Sequence, residues 1–355
     1  MAFGIGGRGA IGLDIGASAV RVAQLGGTAA SPSLTSFGQV ALPQGAVVDG
    51  EIRDPGAVSE AVAQLWKRTK LRAKHAVIGI ANQRVVVRQV DLPFLEESEF
   101  RQALPFQAAD YIPMPVDEAQ LDFIVLNDYM TDNQQHMMRV LLVAAATEMV
   151  ESFVDTVMVA GVQPSGIDLI PFAVARAVSP VARGESGTGG SEAIVDVGAS
   201  ITNIVIHHNG EPRFVRILLV GGDDATTSIA ELQDVPFEEA EAMKFDLAGD
   251  VGSEDVKRIV RGQVDSLVEE IRGSLDYYLS QEDSEPVLSI LVTGGGSLTA
   301  GLLERLEETF RTPIVRATPL NELNAAKSGL TDEQIAQVQP VSAAAIGLAL
   351  GALDK

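Results

Sequence analysis

Ile11-Gly12-Leu13-Asp14-Ile15-Gly16-Ala17-Ser18 lays onto Ile194-Val195-Asp196-Val197-Gly198-Ala199-Ser200 when Asp14 is set over Asp196. The offset is 182 residues in a chain of 355, about half its length. Each copy is an Asp-x-Gly-Ala-Ser core flanked by β-branched strand residues, so each reads as a strand running into a tight glycine turn. A third glycine turn follows a third strand: Ile290-Leu291-Val292-Thr293-Gly294-Gly295-Gly296-Ser297. An apolar helix is expected directly after it.

Glycine lets backbone approach a ligand closely and expose its N–H groups, and a turn of such groups is a concavity suited to phosphate. Ser18 and Ser200 add hydroxyl donors. A carboxylate at the end of each strand would repel phosphate unless a cation lay between, so Mg²⁺ is inferred at Asp14 and Asp196, held through waters. One Asp-x-Gly hairpin is an ordinary tight turn; two copies half a chain apart, with a third glycine turn in the second half, point to a ligand site. The Gly294–Gly296 turn, at the start of the expected helix, suits the nucleoside or α-phosphate.

Outward from the first turn, Ala10–Ile15 and Val20–Leu25 form a hairpin that Leu34–Leu42 extends. Asp54-Pro55 supplies an N-cap and a first-turn proline for a helix that buries Ala61, Val62, Leu65, Trp66 and Thr69. His75–Ala81 is a short buried strand. Residues 84–160 read as an inserted module: strand Val85–Leu92, helix Glu96–Tyr111, strands Leu121–Tyr129 and Met138–Ala146, helix Glu148–Ala160. Ile112-Pro113-Met114-Pro115 breaks any helix there, and Val140–Ala146 should be a central strand. Ser179–Gly190 links to a second half that opens with strands Ala193–Val197, Thr202–His207 and Arg213–Val220. Residues 223–285 follow, mainly helical, with 18 acidic and 5 basic residues. They form a solvated face or an acidic docking surface.

Composition removes several classes. With 26 basic and 48 acidic residues the net charge is −22, which excludes a broad nucleic-acid footprint. The absence of cysteine removes disulfides, thiolate metal sites and thiol nucleophiles. The longest uncharged apolar stretch, Pro340 to Leu353, is too short for a membrane span, so no direct membrane insertion is expected. Gly4-Ile5-Gly6-Gly7-Arg8-Gly9 fits G-x-G-x-x-G but precedes the first strand and opens no helix; it reads as a flexible tail. There is no Gly-Lys dipeptide, hence no Walker A loop, and no G-x-S-x-G elbow. His207 and His208 are adjacent on a strand and point to opposite faces, so they cannot pair as ligands; His75 and His136 stand alone.

The three turns resemble the two phosphate motifs and the adenosine motif of the actin-like ATPase superfamily. Phe172-Ala173-Val174-Ala175-Arg176-Ala177 and Pro340-Val341-Ser342-Ala343-Ala344-Ala345-Ile346-Gly347-Leu348-Ala349 resemble its two connecting helices. Ala240-Glu241-Ala242-Met243-Lys244 is similar to the Ala-Glu-x-x-Lys segment of FtsA-like proteins, where Glu and Lys approach the adenosine. Within the superfamily, Leu92-Pro93, Leu104 to Pro115, Leu121-Asp122-Phe123, Val143 to Ala146 followed by a helix, and Gly161–Asp168 leading into Pro171-Phe172-Ala173 look like the PilM family of type IV pilus assembly proteins. FtsA is expected to end in a linker and a membrane helix; the sequence ending at Leu353-Asp354-Lys355 favours the PilM family.

The resemblance implies an α/β fold: a duplicated ribonuclease-H-like core, with an inserted α+β module in the first half and a helical subdomain in the second. Its units would be 1–83 with 161–190 and 340–355; the SHS2-like insert 84–160; 191–222 with 286–339; and 223–285. It implies ATP and Mg²⁺ in the cleft between halves, on Asp14, Gly16, Ala17, Ser18, Asp196, Gly198, Ala199, Ser200, Glu241, Lys244, Gly294, Gly295, Gly296 and Ser297. It implies a cytoplasmic scaffold and switch that reaches the inner membrane through partners. It would bind the N-terminal peptide of PilN by way of the insert, and other pilus inner-membrane proteins, with self-association left open. Phe94, Phe106 and Tyr111 are candidate peptide anchors or core fillers of the insert. Superfamily ATPases place an acidic or amide side chain just before the first connecting helix; here that position is Ile170, with Asp168 two residues earlier, so at most slow ATP hydrolysis is expected. The alternatives are an FtsA-like cell-division protein and a small-molecule kinase on the same fold.

Overall fold

The computed structural model describes residues 9–184, 189–245, 254–281 and 284–353. The glycine-rich tail before residue 9, residues 185–188 of the link, and residues 354–355 lie outside the described residues. Strand β1 (Ala10–Ile15) pairs antiparallel with β2 (Ala19–Thr28), and β2 with β3 (Ser31–Ala41), as the hairpin reading requires. A short ribbon, β4 (Val47–Val48) and β5 (Glu51–Ile52), precedes α1 (Pro55–Thr69). The Ala57 N–H donates to the Asp54 carboxylate at 2.9 Å, so Asp54 caps α1 and Pro55 opens it. Val58, Ala61, Val62, Leu65 and Trp66 form the buried stripe of that helix.

After β6 (His75–Ile80) the chain leaves the first core. It forms β7 (Val85–Pro93), α2 (Glu97–Ala108), β8 (Ala119–Met130) and β9 (His136–Ala146). These make a three-stranded antiparallel sheet with β9 in the centre, in the order β7-β9-β8. Its own core gathers Val90, Leu92, Phe100, Leu104, Phe123, Met138, Val140 and Leu142. The helix stops at Ala108, short of Tyr111, ahead of the Pro113 and Pro115 segment. Helix α3 (Thr147–Val159) begins where β9 ends. It sends Met149, Phe153 and Val157 into the cluster of α1 and the first sheet. Strand β10 (Gln163–Leu169) and helix α4 (Ile170–Val178) complete the first half.

The second half repeats the plan with β11 (Ser191–Val197), β12 (Thr202–His208) and β13 (Glu211–Leu218). Helices α5 (Gly222–Gln233), α6 (Phe237–Phe245) and α7 (Glu254–Leu279) follow. Then come β14 (Val287–Thr293), α8 (Leu302–Thr309), β15 (Ile314–Arg316), α9 (Asp332–Val338) and α10 (Ala343–Leu353). The two five-stranded sheets are β3-β2-β1-β6-β10 and β13-β12-β11-β14-β15. In each, three antiparallel strands continue into two parallel ones, as a duplicated ribonuclease-H-like core demands.

Helices α4 and α10 cross where the halves meet. Gly347 allows the crossing, because a Cβ there would overlap the Ala173 carbonyl oxygen. Arg176 of α4 donates to the Gly347 carbonyl and pairs with Asp168 at the end of β10. Elsewhere along the two helices Ile170, Val174, Ile346, Leu348 and Leu350 fill an ordinary apolar cluster.

Candidate functional site

The Asp-x-Gly-Ala-Ser turns face each other across a cleft of about 320 Å³. They are built alike: the Gly16 N–H donates to the Ala19 carbonyl at 3.1 Å, and the Gly198 N–H to the Ile201 carbonyl at 2.8 Å. Among the described residues the N–H groups of Ala17, Ser18, Ala199 and Ser200 have no acceptor, which leaves them for an anion. All three glycine turns, with Glu241 and Lys244 of α6, line this one cleft. Ser297 does not line it; its buried hydroxyl donates to the Gly294 carbonyl at 2.6 Å and closes the third turn from behind.

The hairpin registers place one polar side chain beside each aspartate, and neither was found from the sequence. Arg21 lies opposite Asp14, and Asn203 opposite Asp196, again 182 residues apart. An Arg21 Nη is 3.5 Å from the Asp14 carboxylate, and Asn203 Nδ2 donates to Asp196 Oδ2 at 3.1 Å. Burial raises the pKa of Asp14, and the Arg21 guanidinium partly offsets it. Burial pushes Asp196 up to about 6; the Asn203 hydrogen bond opposes this and the Asp14 charge adds to it. Arg21 Nε and Asn203 Oδ1 are buried with no partner among the described residues. An anion answers the first, and a metal-bound water the second. Two carboxylates and an amide oxygen are hard donors that fit Mg²⁺ held through water, with a ligand completing its shell. Among the described residues no three His, Asp or Glu side chains gather to cage a metal alone.

The third turn departs from expectation in one respect. Gly294 has φ +89°, a conformation that favours glycine. It leads into a 3-10 turn, Gly295–Leu298, not an apolar helix; α8 begins only at Leu302 and is amphipathic, burying Leu302 and Leu306. Beside this turn Lys244, 2% exposed, donates to the Gly222 carbonyl at 3.0 Å and to Thr226 Oγ1 at 2.8 Å. It also pairs with Glu241 at 2.6 Å, so Thr226 and Glu241 hold it rigid. Burial, then the neighbouring Glu241 charge, raises the pKa of Asp223 on the same wall. Phe245 and Leu298 also line this end. They too escaped the sequence reading, because an apolar residue at an element end carries no signal of facing a cleft.

The cleft lining also has an apolar part, Val47, Ala81, Phe153, Ile170 and Ile201. Ile170 heads α4 as expected, and Asp168 does not replace it, since Asp168 is paired with Arg176 outside the cleft. His207 is buried and faces Glu192 at 3.2 Å, and His208, its neighbour on β12, is partly exposed. In the insert, Phe94 stacks on His136 with centroids 4.0 Å apart, and Tyr111 packs on the insert core. Phe106, at 85% exposure, is the open aromatic of the three candidates.

The chain matches the family model for type IV pilus assembly protein PilM over residues 12–353. It is similar to a solved PilM-PilN type IV pilus biogenesis complex, with 27% identity, a TM-score of 0.85, and coverage of 98% of this chain and 99% of that one. The cell division protein FtsA of Pseudomonas aeruginosa is 25% identical over 97% of this chain and 89% of its own length. The MreB5 structure of Spiroplasma citri bound to ADP has 13% identity, a TM-score of 0.52, and coverage of 89% of this chain and 94% of that one; it shares the actin-like fold. Among the described residues no single helix is long and apolar enough to cross a membrane.

Proposed function

From the premise that this chain belongs to the PilM family of type IV pilus assembly proteins, we propose that it is a nucleotide-binding scaffold that carries a PilN peptide on its insert. The observation that carries the nucleotide reading is the pair of facing Asp-x-Gly-Ala-Ser turns, each presenting free N–H groups to one cleft. ATP would lie with its phosphates between these turns and its nucleoside toward Gly294–Gly296, Glu241 and Lys244. Arg21 and the turn N–H groups would hold the phosphates, and Asp14 and Asp196 would hold Mg²⁺ through water. Bound Mg²⁺ would screen the phosphates from the two carboxylates.

The partner reading is supported by the similar PilM-PilN complex. The peptide segment to test is the PilN N-terminus, and membrane association would then come through PilN. Hydrolysis is slow in this reading, because Ile170, Ala81 and Phe153 offer no side chain that orients water. A turnover above about 1 per second, within the ordinary enzyme range, would refute that part.

The deciding experiment is calorimetric titration of the chain with ATP–Mg²⁺, then with a PilN N-terminal peptide with and without ATP. ATP binding that alters peptide affinity, reciprocally, supports the switched scaffold. ATP binding without peptide binding favours the FtsA-like or kinase alternatives. Absence of ATP binding refutes the nucleotide reading.

A further inference from the structure

Two large apolar side chains line the cleft while remaining open to solvent, Phe245 at 52% exposure and Leu298 at 43%. They sit on separate elements, the end of α6 and the 3-10 turn after Gly294. Neither belongs to the apolar core of the second half. Large apolar side chains left exposed inside a concave site mark a surface kept open for a ligand face.

The surroundings define that ligand. Glycines crowd one part of the same cleft: a Cβ built on Gly222 would stand 3.4 Å from Gly296 Cα, 3.6 Å from Lys244 Nζ and 3.7 Å from the Gly198 carbonyl oxygen. Little side-chain bulk stands there, so a ligand can approach the backbone closely. The Lys244 ammonium lies 4.9 Å from the Phe245 ring centroid and is itself fixed by Glu241, Thr226 and Gly222. A fixed cation thus stands beside the ring and favours its observed orientation. Asp223 and Glu241 stand on the same wall as acceptors. A flat group with two apolar faces and hydroxyl or amine donors at its edge satisfies all of this, and a nucleoside has those properties.

We propose that Phe245 is the stacking platform for the base, with Leu298 as a further apolar contact, so that the aromatic face of the base contributes to nucleotide affinity in this chain. The inference rests on the nucleotide reading of the cleft and adds to it a single determinant outside the phosphate turns. Any base has a π-face, so the platform acts on nucleotides and leaves inorganic polyphosphate untouched.

The test compares the full chain with Phe245→Ala and Phe245→Trp, titrated with ATP–Mg²⁺ and with tripolyphosphate–Mg²⁺. Phe245→Ala is expected to weaken ATP by roughly 5- to 100-fold, the range of a lost base–aromatic stack, and to shift tripolyphosphate by less than about twofold. Phe245→Trp should keep ATP affinity, and its fluorescence should be quenched by ATP and not by tripolyphosphate. The natural Trp66 is 4% exposed in the first core, so its signal stays constant. Unchanged ATP affinity in Phe245→Ala overturns the platform while leaving the nucleotide site standing. Parallel loss of ATP and tripolyphosphate overturns it too, by showing that the ring only supports α6. If the wild-type chain binds neither ligand, the nucleotide reading falls and this inference with it.

Discussion

Asp196 holds a charge that the fold would rather not carry. Its carboxylate pKa rises from 3.8 to about 6 mainly through burial, and its Asn203 partner is neutral. Because the folded-state value lies above the unfolded one, the group favours folding when protonated. That contribution is fully present below the unfolded pKa and is lost as pH rises through the folded pKa. A shift of about two units at about 1.4 kcal/mol per unit makes the ionised carboxylate cost about 3 kcal/mol at pH 7.5, and about half of that at pH 5. Asp196→Asn keeps the shape and an oxygen for Asn203 Nδ2. It should therefore be more stable than the wild type by up to about 3 kcal/mol at pH 7.5, with the gain shrinking toward pH 5. Urea unfolding of both proteins at the two pH values, followed by far-ultraviolet circular dichroism, measures the gap. The variant should also lack the thermal stabilisation by ATP–Mg²⁺ that the proposed nucleotide site predicts for the wild type. A variant no more stable at pH 7.5, or a gap that does not narrow in acid, would refute the desolvation argument.

Gly347→Ala should lower stability by about 3 kcal/mol or more, read as a fall in melting temperature, because the new methyl meets the Ala173 backbone and only separation of α4 from α10 relieves it. Phe100→Ala empties the centre of the insert core, where the ring is 0% exposed and meets Phe123 edge-on at 4.6 Å. It should cost about 3–5 kcal/mol, abolish peptide binding, and leave ATP binding intact by calorimetry. Lys244→Met leaves the Gly222 carbonyl and Thr226 without their buried donor. A loss of about 1–3 kcal/mol is expected by denaturation, with weaker ATP binding by titration.

The repeat at residues 11–18 and 194–200 made the duplicated core legible, because one Asp-x-Gly turn is ordinary but its recurrence 182 residues on is not. The caps were equally plain: Asp54-Pro55 starts α1 where a side-chain acceptor and a proline predict it. The helix after Gly294–Gly296 was misread because three glycines and Leu298 resemble a helix start, whereas the left-handed Gly294 turns the chain into a 3-10 segment instead. Arg21 and Asn203 were missed for a different reason. Nothing about either residue alone marks it, but the register of each hairpin places it across from its aspartate. Pairing the strands before choosing site residues would have found both. Phe245 and Leu298 depend on which way an element end faces in the assembled cleft, and that is set by packing remote in sequence.

The duplication also shows where the halves have diverged. Equivalent positions keep the aspartate, the glycine and the serine, but the residue opposite the aspartate is a guanidinium in one half and an amide in the other. On the first turn's side the guanidinium offsets the carboxylate, whereas on the second the ionised carboxylate has only a neutral amide beside it, so that side is the more negative and the better placed to draw a cation. The insert has a direct mechanical route to this site. Its central strand β9 runs into α3 without a loop, and α3 places Phe153 in the cleft wall while Met149 and Val157 anchor it in the first core. A change in the cleft that moved Phe153 would move the middle of a helix whose first residue directly follows the insert's central strand. That continuity is the physical reason to seek coupling between nucleotide and peptide in α3, and a double-mutant cycle pairing Phe153 with an insert residue would measure its size.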